Sequence, residues 1–308
     1  MRKRVELAAI LLALMLALPA CAQDLGTLTP HPLPPLAHPE DPTTPAKALF
    51  GRQNEPAPLA AHPIGFYARG CLSGGEPLPI DGPAWQVMRL SRNRNWGTPA
   101  LIAFMERFAK KVPTVSHWPG ILVGDMSQPR GGPMLNGHSS HQIGLDADVW
   151  LAPMPPRTLT PREREEMMSL DVVAEDRRDV DPQKWTPDHL AVIKAAAQDP
   201  EVERIFVNPA IKKAICREAT GDRSWLAKVR PFWGHDYHFH IRLFCPRGEG
   251  ACEGQAPVAA GEGCDASLAW WFRPSVLHPR PAPEPKKPKP GLTLAQLPSE
   301  CRHVLSAR

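Results

Sequence analysis

The residues best suited to chemistry in this chain fall in two short stretches. Gly137 to Trp150 (Gly-His-Ser-Ser-His-Gln-Ile-Gly-Leu-Asp-Ala-Asp-Val-Trp) holds His138, His141, Asp146 and Asp148. Farther along, Trp233 to Phe244 holds His235, His238, His240 and Arg242. Neutral imidazole and carboxylate are ligands that Zn²⁺ accepts. Three protein ligands leave a position open for water, which marks a catalytic rather than a structural site. Ser139 and Ser140 beside His141 offer a competing chemistry, a serine nucleophile. A serine next in sequence to its base rarely has the right geometry, and no Gly-x-Ser-x-Gly elbow is present. The chain also lacks a His-Glu-x-x-His helix and hence an evident glutamate base. That leaves histidines of the second stretch, His238 and His235 among them, as candidates for general base or oxyanion stabiliser.

These residues need elements to hold them. Leu145, Ala147, Val149 and Leu151 alternate with Asp146, Asp148 and Trp150, which predicts a strand with one apolar face and one face carrying both carboxylates. Gly144 lets the backbone turn just before it, bringing His141 beside Asp148. In the second stretch His238, His240 and Arg242 share one strand face, and Phe239, Ile241 and Leu243 the other. Alternation alone does not choose between Asp146 and Asp148, nor among His235, His238 and His240. Asp125 to Gly137, with Gly131, Gly132 and Pro133, reads as a loop delivering the histidines. Thr98-Pro99 and Thr186-Pro187 read as helix starts, the first helix ending before Pro113. Trp270, Trp271 and Phe272 are expected to pack back on the core. Short strands mixed with a few helices, without regular βαβ alternation, predict an α+β fold with a central antiparallel sheet, flanking helices and long disulfide-pinned loops.

The chain has 308 residues, 38 of them Pro, and a formal net charge of +4. That charge is too mild to indicate nucleic-acid binding. Residues 1–22 read as an export signal: Arg2, Lys3 and Arg4, then an apolar run from Leu7 to Ala20, then Ala20-Cys21-Ala22 as a cleavage site. The run is short for a transmembrane segment. Leu18 to Cys21 also resembles a lipoprotein box, with Cys21 as the anchor, but soluble export to the periplasm is the favoured reading. Six cysteines then remain, an even number that suggests three disulfides in an oxidising compartment. Residues 23–63 read as a Pro-rich linker or wrapping arm, 64–278 as the catalytic domain and 279–308 as a Pro/Lys-rich tail.

The stretch from Gly137 resembles the signature of the penicillin-insensitive murein endopeptidases, zinc peptidases of the group that includes lysostaphin and D-Ala-D-Ala peptidases. That group carries His-x6-Asp and a downstream His-x-His, matched by His141, Asp148, His238 and His240. The resemblance extends over roughly residues 64–305 and includes Ile121 to Gly132, Arg204 to Ala214, Trp225 to Pro231 and the cysteines. It implies His141, Asp148 and His240 as zinc ligands, with His238 as the non-ligand histidine beside them. It also assigns His138 to the metal site and Asp176 to a possible second metal. Asp179 stands where the family has a histidine, and the plain reading of Asp176 and Asp179 is a solvated charged loop. The implied disulfides are Cys71–Cys301, Cys216–Cys264 and Cys245–Cys252. The implied substrate is the D-alanyl–meso-diaminopimelyl cross-link of peptidoglycan. The alternatives are a D,D- or L,D-carboxypeptidase on peptidoglycan stems, and a non-catalytic periplasmic metal- or wall-binding protein.

Overall fold

Two histidine-bearing stretches, distant in sequence, become neighbouring strands of one sheet. The structure is a computed structural model and describes residues 25–279 and 291–308. The export signal with Cys21, and residues 280–290 of the tail, lie outside the described residues. In chain order the strands are β1 (His62–Phe66), β2 (Arg69–Ser73), β3 (Glu76–Pro77), β4 (Asp81–Gly82), β5 (Trp85–Val87), β6 (Trp96–Gly97), β7 (Ile121–Val123), β8 (Asp146–Pro153), β9 (Val202–Val207), β10 (Val229–Pro231), β11 (His238–Leu243) and β12 (Cys252–Glu253). The helices are α1 (Ala46–Phe50), α2 (Pro99–Val115), α3 (Pro161–Glu166), α4 (Pro187–Ala197), α5 (Pro209–Glu218), α6 (Ala266–Ala269), α7 (Pro274–Leu277) and α8 (Glu300–Ser306).

The main sheet has the order β10-β9-β11-β8-β7-β5-β4. Its four middle strands pair antiparallel, while β10–β9 and β5–β7 are parallel. Parallel partners need a crossover, supplied by α5 between β9 and β10 and by α2 between β5 and β7. The fold is thus α+β with an antiparallel centre. One face of β8 and β11 (Ala147, Val149, Leu151, Phe239, Ile241, Leu243) is buried in the main core with Phe104 and Phe108 of α2. Phe108 meets Phe239 edge-on at 6.4 Å between ring centroids.

Thr98 caps α2 as its sequence predicts, its hydroxyl accepting the Leu101 N–H at 3.3 Å. The helix does not stop before Pro113 but continues to Val115. Proline this close to a helix end costs little beyond its own missing N–H, because the final turn has few bonds left to lose. The Val112 carbonyl is still used, by the Ser116 N–H at 3.1 Å.

A second sheet, β12-β1-β2, lies beside a smaller apolar cluster in which both ends of the described chain meet. Within the segment read as a linker or arm, Ala46 and Phe50 of α1 are fully buried against Ile64, Leu297 and Val304. The disulfides are Cys71–Cys301, Cys216–Cys264 and Cys245–Cys252. Arg130, from the loop that leads to His138, donates through Nη1 to the carbonyls of Val304, Leu305 and Ala307, at 2.9, 2.8 and 2.9 Å. The end of α8 therefore clamps that loop.

Trp270 to Phe272 do not pack into the core. Trp270 is 41% exposed. Trp271 turns its ring to Trp233 at 4.9 Å, and Lys213 lies over Phe272. An apolar triplet signals contact without saying with what. No helix among the described residues is long and apolar enough to cross a membrane.

Candidate metal centre

The register of β8 against β11 builds the site. His240 pairs with Asp148, Arg242 with Asp146 and His238 with Trp150, all on the face opposite the main core. Gly144, at φ +71°, makes the turn that enters β8, and a Cβ there would lie 2.8 Å from the Leu72 side chain. His141, in the same turn, also has positive φ (+65°), unusual for a residue with a Cβ. Its backbone is held on both sides: its N–H donates to Asp146 Oδ2 (2.9 Å) and its carbonyl accepts from Ser127 Oγ (2.8 Å). Backbone strain held by its surroundings concentrates at functional sites.

Four imidazoles converge on Asp148. His141 Nε2 and His240 Nδ1 each lie 3.4 Å from its Oδ1, and His238 Nε2 lies 3.7 Å from it. His138 Nδ1 lies 3.7 Å from Oδ2. Ligand atoms of His138, His141 and Asp148 all fall within 4.8 Å of one another, a candidate metal-binding group. His141 is completely buried, yet neither ring nitrogen has a hydrogen-bond partner among the described residues; Asp148 Oδ1 and His238 Nδ1 are in the same condition. Leaving buried polar atoms unsatisfied is expensive. A cation held by His141 Nε2 and Asp148 Oδ1, which lie 3.4 Å apart, would satisfy that nitrogen and that oxygen.

His240 stands outside the compact group of three, but its two ring nitrogens have different partners. Nε2 hydrogen-bonds to Asp146 Oδ1 at 2.9 Å, which leaves Nδ1 toward Asp148. A carboxylate on the far nitrogen is the usual support of a ligating histidine. His138 is held similarly, its Nε2 2.9 Å from Asp125 Oδ2. The resemblance names His240 as third ligand and the compact group contains His138; both have the oriented ring a ligand needs.

Burial works against charge on all three carboxyls, but their neighbours more than offset it. His238, His141 and His138 hold Asp148 well below the usual range; Arg242 and His240 do so for Asp146, and His138, Arg94 and Arg92 for Asp125. Burial pushes His238 down to about 3 and His240 down to about 4, so both are neutral near pH 7. His138 is pulled the other way: burial lowers it, but Asp148 and Asp125 together raise it.

The site opens into a cavity of about 520 Å³ walled by His138, His235, His238, His240, Tyr237 and Trp233, among others. His235 donates from Nδ1 to the Trp233 carbonyl at 2.7 Å, leaving Nε2 as a proton acceptor. Ser139 and Ser140 line the same cavity, and neither hydroxyl bonds to a histidine among the described residues. Asp176 lies on an exposed loop, where its Oδ1 accepts the Arg178 N–H at 3.0 Å. Asp179 is paired with Lys213 (3.0 Å) and Arg217 (2.9 Å). Asp125, Arg92 and Arg94 were not legible as site residues. No spacing rule links them to His138, and only the folded chain brings them together there.

The family model described as "Penicillin-insensitive murein endopeptidase" matches residues 63–306. A protein of that name from Haemophilus influenzae is 46% identical over 229 residues, covering 74% of this chain and 78% of that one. Its namesake from Klebsiella pneumoniae is 42% identical over 254 residues, covering 82% and 88%. The Escherichia coli protein is 41% identical over 254 residues, again covering 82% and 88%.

Proposed function

The chain belongs to the penicillin-insensitive murein endopeptidase family, and from that premise we propose that it is a zinc-dependent peptidase cutting the D-alanyl–meso-diaminopimelyl cross-link of peptidoglycan. Its place of work is then the periplasm. His141, Asp148 and His240 hold the zinc, with His138 beside them. The observation that carries this is the buried His141, whose unpartnered Nε2 lies 3.4 Å from an equally unpartnered Asp148 oxygen. When bound, zinc supplies a Lewis acid for the scissile carbonyl and lowers the pKa of a water.

The protein's own groups do the rest. Asp146 and Asp125 fix the rings of His240 and His138. His238, neutral and beside Asp148, is placed to take a proton or to steady developing negative charge, with His235 next to it at 4.8 Å between rings. Tyr237 and Trp233 add aromatic surface to the cavity lining.

The test is incubation of residues 23–308 with cross-linked muropeptide dimers, with and without a chelator and with penicillin, followed by mass spectrometry. Conversion to monomers that stops with chelator and ignores penicillin is the expected result. Release of D-Ala alone makes the enzyme a carboxypeptidase. Zinc-loaded protein that yields no product is a wall-binding protein instead.

A further inference from the structure

Arg89, Arg92 and Arg94, close together in sequence, all line the cavity. Arg89 donates to the carbonyls of Arg164 and Met167, at 2.8 Å each, and lies over the Trp150 ring. Arg94 puts Nη1 on Asp125 Oδ2 (2.9 Å) and Nη2 on Asn136 Oδ1 (2.6 Å). Arg92 puts only Nη1 on Asp125 Oδ2, at 3.0 Å. Its Nε and Nη2 make no hydrogen bond to a described residue, and its side chain is 19% exposed against 9% for Arg94. Asp125 Oδ2 thus serves two guanidiniums and His138 Nε2 at once. One carboxylate against two arginines leaves a positive charge in the wall.

The backbone presents this side chain deliberately. Arg92 closes a single 3₁₀ turn, Leu90–Arg92, flanked by Arg89 at φ +56° and Asn93 at φ +51°. Neighbours clamp the turn from both ends. Ser91 is held by Glu165 through its N–H (2.9 Å) and hydroxyl (2.8 Å), and Asn93 bonds Trp96 Nε1 (2.7 Å) and the Asn54 carbonyl (3.0 Å). Two non-glycine residues in the left-handed region within five positions are costly, and such strain persists only where its surroundings fix it.

We infer that Arg92 is a specificity residue that binds a carboxylate on the carbon bearing the scissile nitrogen. This rests on the peptidase reading above. In the cross-link, the amide nitrogen sits on a diaminopimelyl carbon that also carries a free carboxylate. That group is two bonds from the nitrogen that leaves. Arg92 is one shared carboxylate, Asp125, away from His138 of the candidate metal group. An arginine with two adjacent nitrogens to offer matches a carboxylate in a two-point contact. A terminal D-Ala-D-Ala places a carboxylate at the same position, so that bond is the second source of the same chemistry.

The experiment compares kcat/KM for three substrates: a dimer with the diaminopimelyl carboxylate free, the same dimer with it as a carboxamide, and a monomer ending in D-Ala-D-Ala. Wild type, Arg92→Gln and Arg92→Lys are assayed, with zinc content measured for each. Wild type is expected to prefer the free carboxylate by about 10- to 100-fold, the worth of a charge-assisted hydrogen bond. Arg92→Gln is expected to lose that preference by slowing more on carboxylate substrates than on the carboxamide, and Arg92→Lys to keep part of it, while zinc content separates a lost substrate contact from a disturbed Asp125–His138 pair. Cleavage of the free-carboxylate dimer ahead of the monomer assigns the diaminopimelyl group as the ligand; the reverse order assigns the terminal D-Ala and overturns the cross-link assignment. Equal cleavage of both dimers by wild type, or an unchanged preference in Arg92→Gln, overturns the inference alone. A wild type that cleaves none of the three overturns the peptidase reading and this inference together.

Discussion

Asp146 touches no ligand position directly, yet four donors end on it. His240 Nε2 and Arg242 Nε reach Oδ1 at 2.9 and 2.8 Å, and the His141 N–H and Arg242 Nη2 reach Oδ2 at 2.9 and 3.2 Å. It therefore orients the ring of His240 and holds the backbone of His141, two residues from different elements. Asp146→Asn keeps the shape but removes the charge and leaves Arg242 buried without its partner. Zinc affinity is expected to fall about 10–100-fold, and stability by about 3–5 kcal/mol. Zinc titration and urea unfolding check the two effects; an unchanged zinc affinity would show that Asp146 is not what orients the His240 ring. Alternation put Asp146 and Asp148 on one face and stopped there. Their different roles come from the pairing with β11, which is long-range information that a local pattern does not carry.

At the scale of elements, strand positions followed from alternation and helix starts from Thr-Pro pairs, because both are local physics. The end of α2 was misread because Pro113 was weighed as a breaker without knowing how near the helix was to finishing. The part of α8 was hidden for another reason: the sequence links Arg130 to residues 304–307 by no spacing rule. In the structure that one arginine, only 9% exposed, collects three carbonyls at the helix end. Arg130→Ala strands those acceptors, and a loss of about 1–3 kcal/mol is expected. The loop carrying His138 is expected to loosen with it. Amide hydrogen exchange across residues 125–138 reads this out, and exchange unchanged from wild type would refute the clamp.

Across the whole molecule the ionisable groups act as a sum. His189, His235, His238 and His240 are all lowered from 6.5, chiefly by burial, while His138 is raised. A lowered histidine binds its proton more readily in the unfolded chain, so its contribution is lost as pH falls; the raised one contributes in the opposite sense. Among the histidines that is four against one, joined below 3.8 by the depressed Asp125, Asp146 and Asp148; the raised Glu203 and Asp236 oppose them but are fewer. Metal-free protein is expected to lose stability steadily as pH drops from 6.5 toward 3, seen as a falling urea midpoint. A midpoint that rises over that range would contradict it.

The closure at α8 also has a bearing in time. Cys301, in α8, joins Cys71 across 230 positions, and carbonyls at its end hold the Arg130 loop. Synthesis runs from the N-terminus, so β8 and β11 can pair while this latch has yet to emerge. The strands that bring His240 to Asp148 are therefore complete in sequence before the segment that anchors the His138 loop.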